Sequence, residues 1–394
     1  MRSYKNSKSA YLNNAGQSLL LKQIKVKIQT WLDQTFKNKI NNNNILEIIN
    51  GSKIEFTKLL LGEYNYEIAK NNITLINNTS TGLSAIAFGL EYKKRDNILL
   101  SKYEFPSNRY VWEEVSKRHG CEIVYVDTSI EEIDWTEAYL KKINKHTKII
   151  AVSSVQYLQG SQVNLQKLSK ACVENNCLLI VDAIQQIGAF SLCINKPENI
   201  DAVVAGSHKW LNGISGLGIM YCSDKLLHRL NSTLVGWRSV KEINFEKHPS
   251  PAISKKIRKL ENGNPNLFGT VALYESLKMI NKIGIKNISK KILHNCNRID
   301  KIMCLFSDRI KLLAPETMRT PKLSGILTYT LKNKNGSPKK PQDLYEYLLN
   351  NNIITSIRAG GIRLSPHWYT DESEILHFEK IIINYLQKIE KTKP

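Results

Sequence analysis

Cys177-Leu178-Leu179-Ile180-Val181-Asp182 is a run of five apolar residues closed by an acid. A run that is apolar at every position, instead of every second one, fits a strand covered on both faces. Comparable runs stand on either side of it, at 97–100, 122–126 and 148–152 before it and at 202–205 after it. Helix-length segments separate them. One is 164–176, with apolar Leu165, Leu168, Ala171, Cys172 and Val173 on one stripe. From about residue 95 to 225 the chain therefore reads as repeated βαβ units of an α/β fold, a mostly parallel sheet with helices on both faces.

Beyond about residue 245 the texture changes. A polar, lysine-rich stretch at 241–259 leads into a helix-rich tail. Segments 324–329 and 353–357 read as strands of a second, smaller α+β domain. The last helix starts at Asp371 and Glu372, with Ile375, Phe378, Ile382, Tyr385 and Ile389 at helical spacing. The expected division is a large domain over 1–245, including an N-terminal segment 1–20, and a small domain over 246–394.

Composition narrows the class. The 394 residues are 42% hydrophobic and 23% charged, enough apolar material for a large core. No apolar run approaches the ~18 residues of a membrane span, and the polar start Met1-Arg2-Ser3-Tyr4-Lys5-Asn6 has no apolar stretch of a secretory signal behind it. Seven cysteines without a CxxC suit neither a disulfide scaffold nor a zinc cluster, so no metal is expected. A cytoplasmic protein without a membrane partner is the expectation. The 56 Lys+Arg against 35 Asp+Glu give a formal charge of +21. The lysines are scattered and Asn-rich tracts such as 41–44 accompany them, so the charge reads as compositional drift and no nucleic-acid partner is expected.

In open α/β sheets ligands gather beyond the carboxyl ends of the strands. Three unusual polar groups fall there. Asp182 ends the run quoted above, Ser207-His208-Lys209 follows strand 202–205, and Asn78-Thr79-Ser80-Thr81-Gly82 opens a helical pattern over 83–90. A lysine forms a Schiff base with an aldehyde. A carboxylate keeps a pyridine nitrogen protonated. Small hydroxyl residues at a helix start receive a phosphate. Together the three point to pyridoxal 5'-phosphate.

The segments Val181-Asp182-Ala183-Ile184-Gln185-Gln186-Ile187-Gly188-Ala189 and Gly206-Ser207-His208-Lys209-Trp210-Leu211 resemble those of the class V aminotransferases, the superfamily that includes the cysteine desulfurases. The resemblance extends over nearly the whole chain. It implies fold type I of the pyridoxal-phosphate enzymes, with a seven-stranded sheet, and a homodimer whose active sites are shared across the interface. It makes Lys209 the Schiff-base lysine and the proton shuttle. Asp182 pairs with the ring nitrogen, Gln185 bonds the ring hydroxyl, and Phe105 stacks on the ring. Ser80, Thr81, Ser207 and His208 hold the phosphate. Asn13, in the N-terminal loop 11–17, and Tyr157 lie on the substrate side. Arg363 binds the substrate α-carboxylate and Arg358 is a second candidate. The stretch 259–266 matches the part that reaches into the neighbouring subunit's site.

Departures from the family pattern bear on the reaction. Desulfurases carry a nucleophilic cysteine on a loop before the carboxylate-binding arginine. Here that region is Ser356-Ile357-Arg358-Ala359-Gly360-Gly361-Ile362-Arg363, and the last cysteine of the chain is Cys304. The nearest resemblance is to the cystine/cysteine C–S lyases and isopenicillin-N-epimerase-like enzymes, partly through Val235-Gly236-Trp237-Arg238-Ser239 and the segment 367–372. Trp237 is read either as pocket lining or as core. The expected activity is β-elimination on a small amino acid, giving pyruvate and ammonia. An aminotransferase or an epimerase, the latter with Tyr157 or His367 as a second base, remain the alternatives. A binding module without cofactor is disfavoured by the joint presence of Lys209, Asp182 and Arg363.

Overall fold

The computed structural model describes residues 9–128, 134–192, 199–243, 252–313, 324–333 and 336–391. The chain enters on a short strand, β1 (Ala10–Tyr11), followed by helices Lys22–Phe36 and Asn42–Leu61. Seven strands then build the central sheet: β2 (Ile73–Ile76), β3 (Asn97–Ser101), β4 (Glu122–Val126), β5 (Thr147–Ser153), β6 (Leu178–Asp182), β7 (Ala202–Gly206) and β8 (Gly218–Cys222). Their order is β2-β8-β7-β6-β5-β3-β4. The neighbours β3–β4, β3–β5, β5–β6 and β6–β7 pair in parallel, whereas β8 runs antiparallel to both β2 and β7.

Continuous apolar runs are what this sheet requires. Leu179, Val181, Val203 and Ala205 enter one buried cluster, while their neighbours Leu178, Ile180, Ala202 and Val204 enter another. Successive side chains of a strand point to opposite faces, so each run feeds both cores. Each fully buried Leu, Ile or Val contributes about 1.5–3 kcal/mol. The helices covering the sheet start where the sequence supplies caps. Asn78 accepts from Thr81 N, and Asn164 accepts from Lys167 N at the head of Leu165–Glu174. The first of these helices, Thr79–Gly89, starts four residues before the apolar pattern does. It lies close to the sheet because residue 82 is glycine. A Cβ there would stand 2.7 Å from both Ile76 Cδ1 and Val204 Cγ1.

The C-terminal part contains helices Leu267–Ile283 and Ile285–Cys304, then β9 (Ile310–Leu312), β10 (Leu327–Lys332), β11 (Pro338–Lys339), helix Gln342–Asn350, β12 (Ile353–Ile354), β13 (Ser356–Arg358) and β14 (Gly361–Leu364). Strands β11, β10, β14 and β13 form an antiparallel sheet, with β9 also on β10. The strand expected over 324–329 begins at Leu327, and the segment expected over 353–357 is divided between β12 and β13. The last helix runs Glu372–Lys391 and buries Ile375, Phe378, Ile382 and Tyr385, as its spacing predicts. Part of the lysine-rich stretch, 244–251, lies outside the described residues. None of the described helices is long and apolar enough to cross a membrane.

The N-terminus is tied to the C-terminal half. β1 pairs in parallel with β12, Ala10 opposite Ile353 and Tyr11 opposite Ile354. Past β1, Ala15 N donates to Ser365 Oγ at 2.9 Å, and Ser18 N donates to His208 O at 2.8 Å. The segment between thus runs from the small sheet to the end of β7.

Candidate active site

The strand ends bring the sequence-derived residues together. Asp182 is the last residue of β6 and Lys209 stands three residues past β7. Both are buried, at 2% and 8% exposure. Burial pushes the Asp182 carboxyl up to about 6 and the Lys209 ammonium down to about 8. Each is drawn back in part by the other's charge, and the positive fields of Arg363 and Arg358 push Lys209 further down. Asp182 Oδ1 accepts from Ile184 N at 3.0 Å. A type of turn that only glycine suits closes this loop. Gly188 has φ +92°, and a Cβ on it would stand 2.5 Å from Trp210 O, immediately after Lys209.

Phe105 caps helix Pro106–His119, whose proline at the first position sets the entry angle. Its ring lies under the Lys209 ammonium, with Nζ 5.4 Å from the centroid, and meets the Tyr157 ring edge-on at 5.1 Å. Tyr157 O in turn accepts from Arg363 Nη1 at 2.9 Å. Asp182, Lys209, Phe105, Tyr157 and Arg363 therefore form one connected group.

Arg363 sits on β14 and is buried at 2% exposure. Among the described residues its Nε and Nη2 find no hydrogen-bond partner. A buried guanidinium with two open N–H edges is costly unless a ligand completes it. Burial, reinforced by the charge of Arg358, lowers its pKa to about 9. Arg358 is exposed and ends β13, opposite Gly361. The two strands are joined by Ala359 and Gly360 alone, with φ of +48° and +72°. Positive φ at both central residues is the type I′ hairpin turn. Asn13 pairs with Ser365 through an isolated parallel bridge, and its buried Oδ1 has no hydrogen-bond partner among the described residues.

Ser80 and Thr81 lie in the first turn of helix Thr79–Gly89. Ser80 is exposed and shares a 2.7 Å hydrogen bond with the Ser107 hydroxyl, whereas Thr81 donates to Asn78 Oδ1 at 3.1 Å. Gly206 N donates to Thr79 Oγ1 at 2.9 Å, which fixes this helix start to the end of β7. His208 is half-buried and its pKa falls to about 4, through burial first and then the Lys209 charge. Ser207 is placed differently. It is fully buried, and its hydroxyl donates to Ile214 O at 2.8 Å and Leu217 O at 2.9 Å, so it holds its own loop. Gln185 is also engaged within the chain. Its Nε2 donates to Ala15 O and its Oε1 accepts from Trp210 Nε1, both at 3.0 Å.

Trp237 is 44% exposed and belongs to neither the core nor this site. It borders a cleft of about 780 Å³ with Lys53, Arg238 and Glu261, which holds none of the residues gathered around Lys209. Glu261 there pairs with Lys53 at 2.6 Å and with Arg238 at 3.3 Å, and these cations hold its carboxyl below the usual range. Asn264, from the same stretch, is exposed. Sequence reasoning gave no role to Thr79, Trp210 or Glu104. The acid of Glu104 follows a buried strand, as Asp182 does, and that is the signal by which it stands out.

Comparisons with known proteins show the fold and the family. The solved structure of apo cysteine desulfurase from Thermococcus onnurineus superposes with a TM-score of 0.82 over 96% of this chain and 95% of that one, at 20% identity. The cystine C-S lyase C-DES, in complex with its reaction product cysteine persulfide, superposes with a TM-score of 0.82 over 94% of this chain and 96% of that one, also at 20% identity. The fold is thus the α/β fold of these enzymes. The family described as Aminotransferase class-V matches residues 10–368, and the chain belongs to it. Among curated relatives, the uncharacterized aminotransferase YcbU of Bacillus subtilis is 24% identical over 93% of this chain and 91% of its own length. A probable cysteine desulfurase of Borreliella burgdorferi is 26% identical over 96% and 92%.

Proposed function

We propose that the chain is a pyridoxal-phosphate-dependent lyase that breaks the C–S bond of a cysteine- or cystine-type amino acid by β-elimination. Its membership of the class-V family supports an enzyme of this cofactor class. A related C-DES mutant carries glycine covalently linked to its PLP cofactor. When bound, the cofactor supplies an electron sink for the pair left at the substrate Cα.

The residues present fit that group. Lys209, buried at the end of β7, would be the amine that attaches the cofactor and carries the Cα proton. Asp182 would hold the proton on the ring nitrogen, and Phe105 would supply the face against the ring. Ser80, Thr81 and His208 would hold the phosphate. Ser207 contributes by holding its loop in place, its hydroxyl being engaged by Ile214 O and Leu217 O, and Gln185 retains one N–H for the ring hydroxyl. Arg363 takes the α-carboxylate on its open Nε and Nη2 edges. Asn13, Tyr157 and Arg358 border the substrate. The cofactor is thereby held within 1–245, and the substrate lies between Asn13 and Tyr157 of that part and Arg358 and Arg363 of 246–394. In the overall change the Cα–H and Cβ–S bonds break, sulfur leaves with the bonding pair, and water releases pyruvate and ammonia.

The observation that carries the lyase reading, against a desulfurase, is the hairpin β13–β14. It closes in two residues between the two arginines and offers neither a thiol nor a loop to carry one. Five of the six described cysteines are buried in the core clusters. Elimination needs no protein nucleophile. A cytoplasmic homodimer completes the proposal. Exposed Leu234, Val235 and Trp237 offer an apolar surface for a second copy. The purified holoenzyme is to be incubated with L-cystine, L-cysteine and cysteine sulfoxides. Pyruvate and ammonia in equal amounts support the lyase. A keto acid that retains the substrate's side chain, formed with the cofactor's amine form, would replace it with an aminotransferase.

A further inference from the structure

Glu104 lies three residues past β3, is 2% exposed, and takes no part in the scheme above. Its Oε1 accepts from Ser153 N at 2.8 Å. Its Oε2 accepts from Asn108 Nδ2 at 3.2 Å and, in a shorter contact, from the Ser153 hydroxyl. Ser153 is the last residue of β5 and stands in register with Asp182 on β6. Strands β3 and β5 are neighbours although β4 separates them in sequence. Their carboxyl ends flank the crevice at which the strand order reverses, the place where open α/β sheets bind ligands. Glu104 spans that crevice.

The groups that face it are acidic or phenolic. Asp182 comes from β6, Tyr139 from helix Trp135–Leu140, and Tyr157 from the segment after β5. Among the described residues the carboxylate is stabilised by the hydrogen-bond donors of Ser153 and Asn108 and not by a cation. Burial pushes it up to about 7, so its charge is present on the alkaline side of neutrality. A group needed only for packing has no use for an ionisable end, and an amide of the same shape would serve.

We propose that Glu104 is a positioning residue of the cofactor site, clamping the end of β3 to the end of β5, holding Phe105 against Lys209, and placing a second negative charge behind Asp182. The proposal rests on Lys209 as the attachment point of the cofactor. The test is a pH titration of the absorbance of bound pyridoxal phosphate in the full-length holoenzyme. A nearby negative charge favours the protonated, cationic linkage to Lys209. Glu104→Gln keeps the shape and the Ser153 N contact but removes the charge, and is expected to lower the midpoint by about half a pH unit. Ser153→Ala leaves the acid but removes one donor, and is expected to lower the midpoint by less. Unmoved midpoints overturn the proposal. If the Gln variant does not fold, Ser153→Ala decides alone, and an unmoved midpoint again overturns it. Borohydride reduction and peptide mapping separate the premises. A label on another lysine overturns the attachment site and this proposal together. Unmoved midpoints on protein labelled at Lys209 overturn this proposal alone.

Discussion

The two halves of the candidate site are built on different principles. Around Lys209 the strand ends β3, β5, β6 and β7 converge, and most polar groups there are already bonded within the chain, as with Ser207, Gln185 and Glu104. Around Arg363 a two-residue hairpin and the N-terminal segment meet, and buried polar atoms stay open at Arg363 Nε and Nη2 and Asn13 Oδ1. A half that is internally satisfied is suited to hold one permanent group. A half with open donors is suited to take up and release a molecule at each turnover. On the function proposed above, the first half takes the cofactor and the second the substrate.

Breaking the first half has the largest expected effect. Lys209→Ala removes the attachment point and the proton carrier together, so covalent cofactor absorbance disappears and the turnover rate falls by at least ~10²–10⁴-fold. Asp182→Ala leaves the ring nitrogen's charge without its buried partner. Breaking such a pair costs about 3–5 kcal/mol, and kcat/KM is expected to fall by roughly two to four orders of magnitude with the lysine linkage retained. Breaking the second half acts on binding. Arg363→Ala loses a charged hydrogen-bonding group of about 1.5–3 kcal/mol, which raises KM by roughly 10- to 150-fold while cofactor stays bound.

The comparison can also be sharpened by pH. Attachment requires the neutral amine of Lys209, whose pKa lies at about 8 in the free protein. The rate of cofactor uptake by apoprotein is expected to rise with pH through that value and to level off above it. Because Arg363 and Arg358 both lower that pKa, removing either moves the midpoint upward, which stopped-flow absorbance can follow. Arg358 is exposed, so Arg358→Ala has the smallest effect of the series, a few-fold rise in KM.

The cofactor half was the more legible in the sequence, for a physical reason. A strand buried on both faces has to be apolar throughout, so Asp182 and Lys209 mark its end by contrast. Ser207 shows where this reading stops. A hydroxyl next to an active lysine looks like a ligand contact, yet it bonds Ile214 O and Leu217 O, because a buried turn must satisfy its own carbonyls. Glu104 escaped notice because Glu-Phe-Pro at a helix start resembles an ordinary cap, and its partner Ser153 lies on another strand. The hairpin was legible as a short segment without cysteine. Its turn was not, since Ala359 adopts φ +48°, a region alanine seldom enters. Trp237 could not be placed by sequence, because an aromatic residue carries no mark of whether its pocket belongs to the core, the site or the surface.

The pairing of β1 with β12 has a consequence for synthesis. Ala10 leaves the ribosome early, but its partner Ile353 is made about 340 residues later. At ~5–20 residues per second the delay is roughly 20–70 s. During that time the sheet β2–β8 is complete enough to collapse, while β1, at the head of the segment that crosses its carboxyl edge, still lacks its partner strand. The nascent protein therefore acquires its main core with the active-site crevice still uncovered, and the last strands to emerge draw the first one into place.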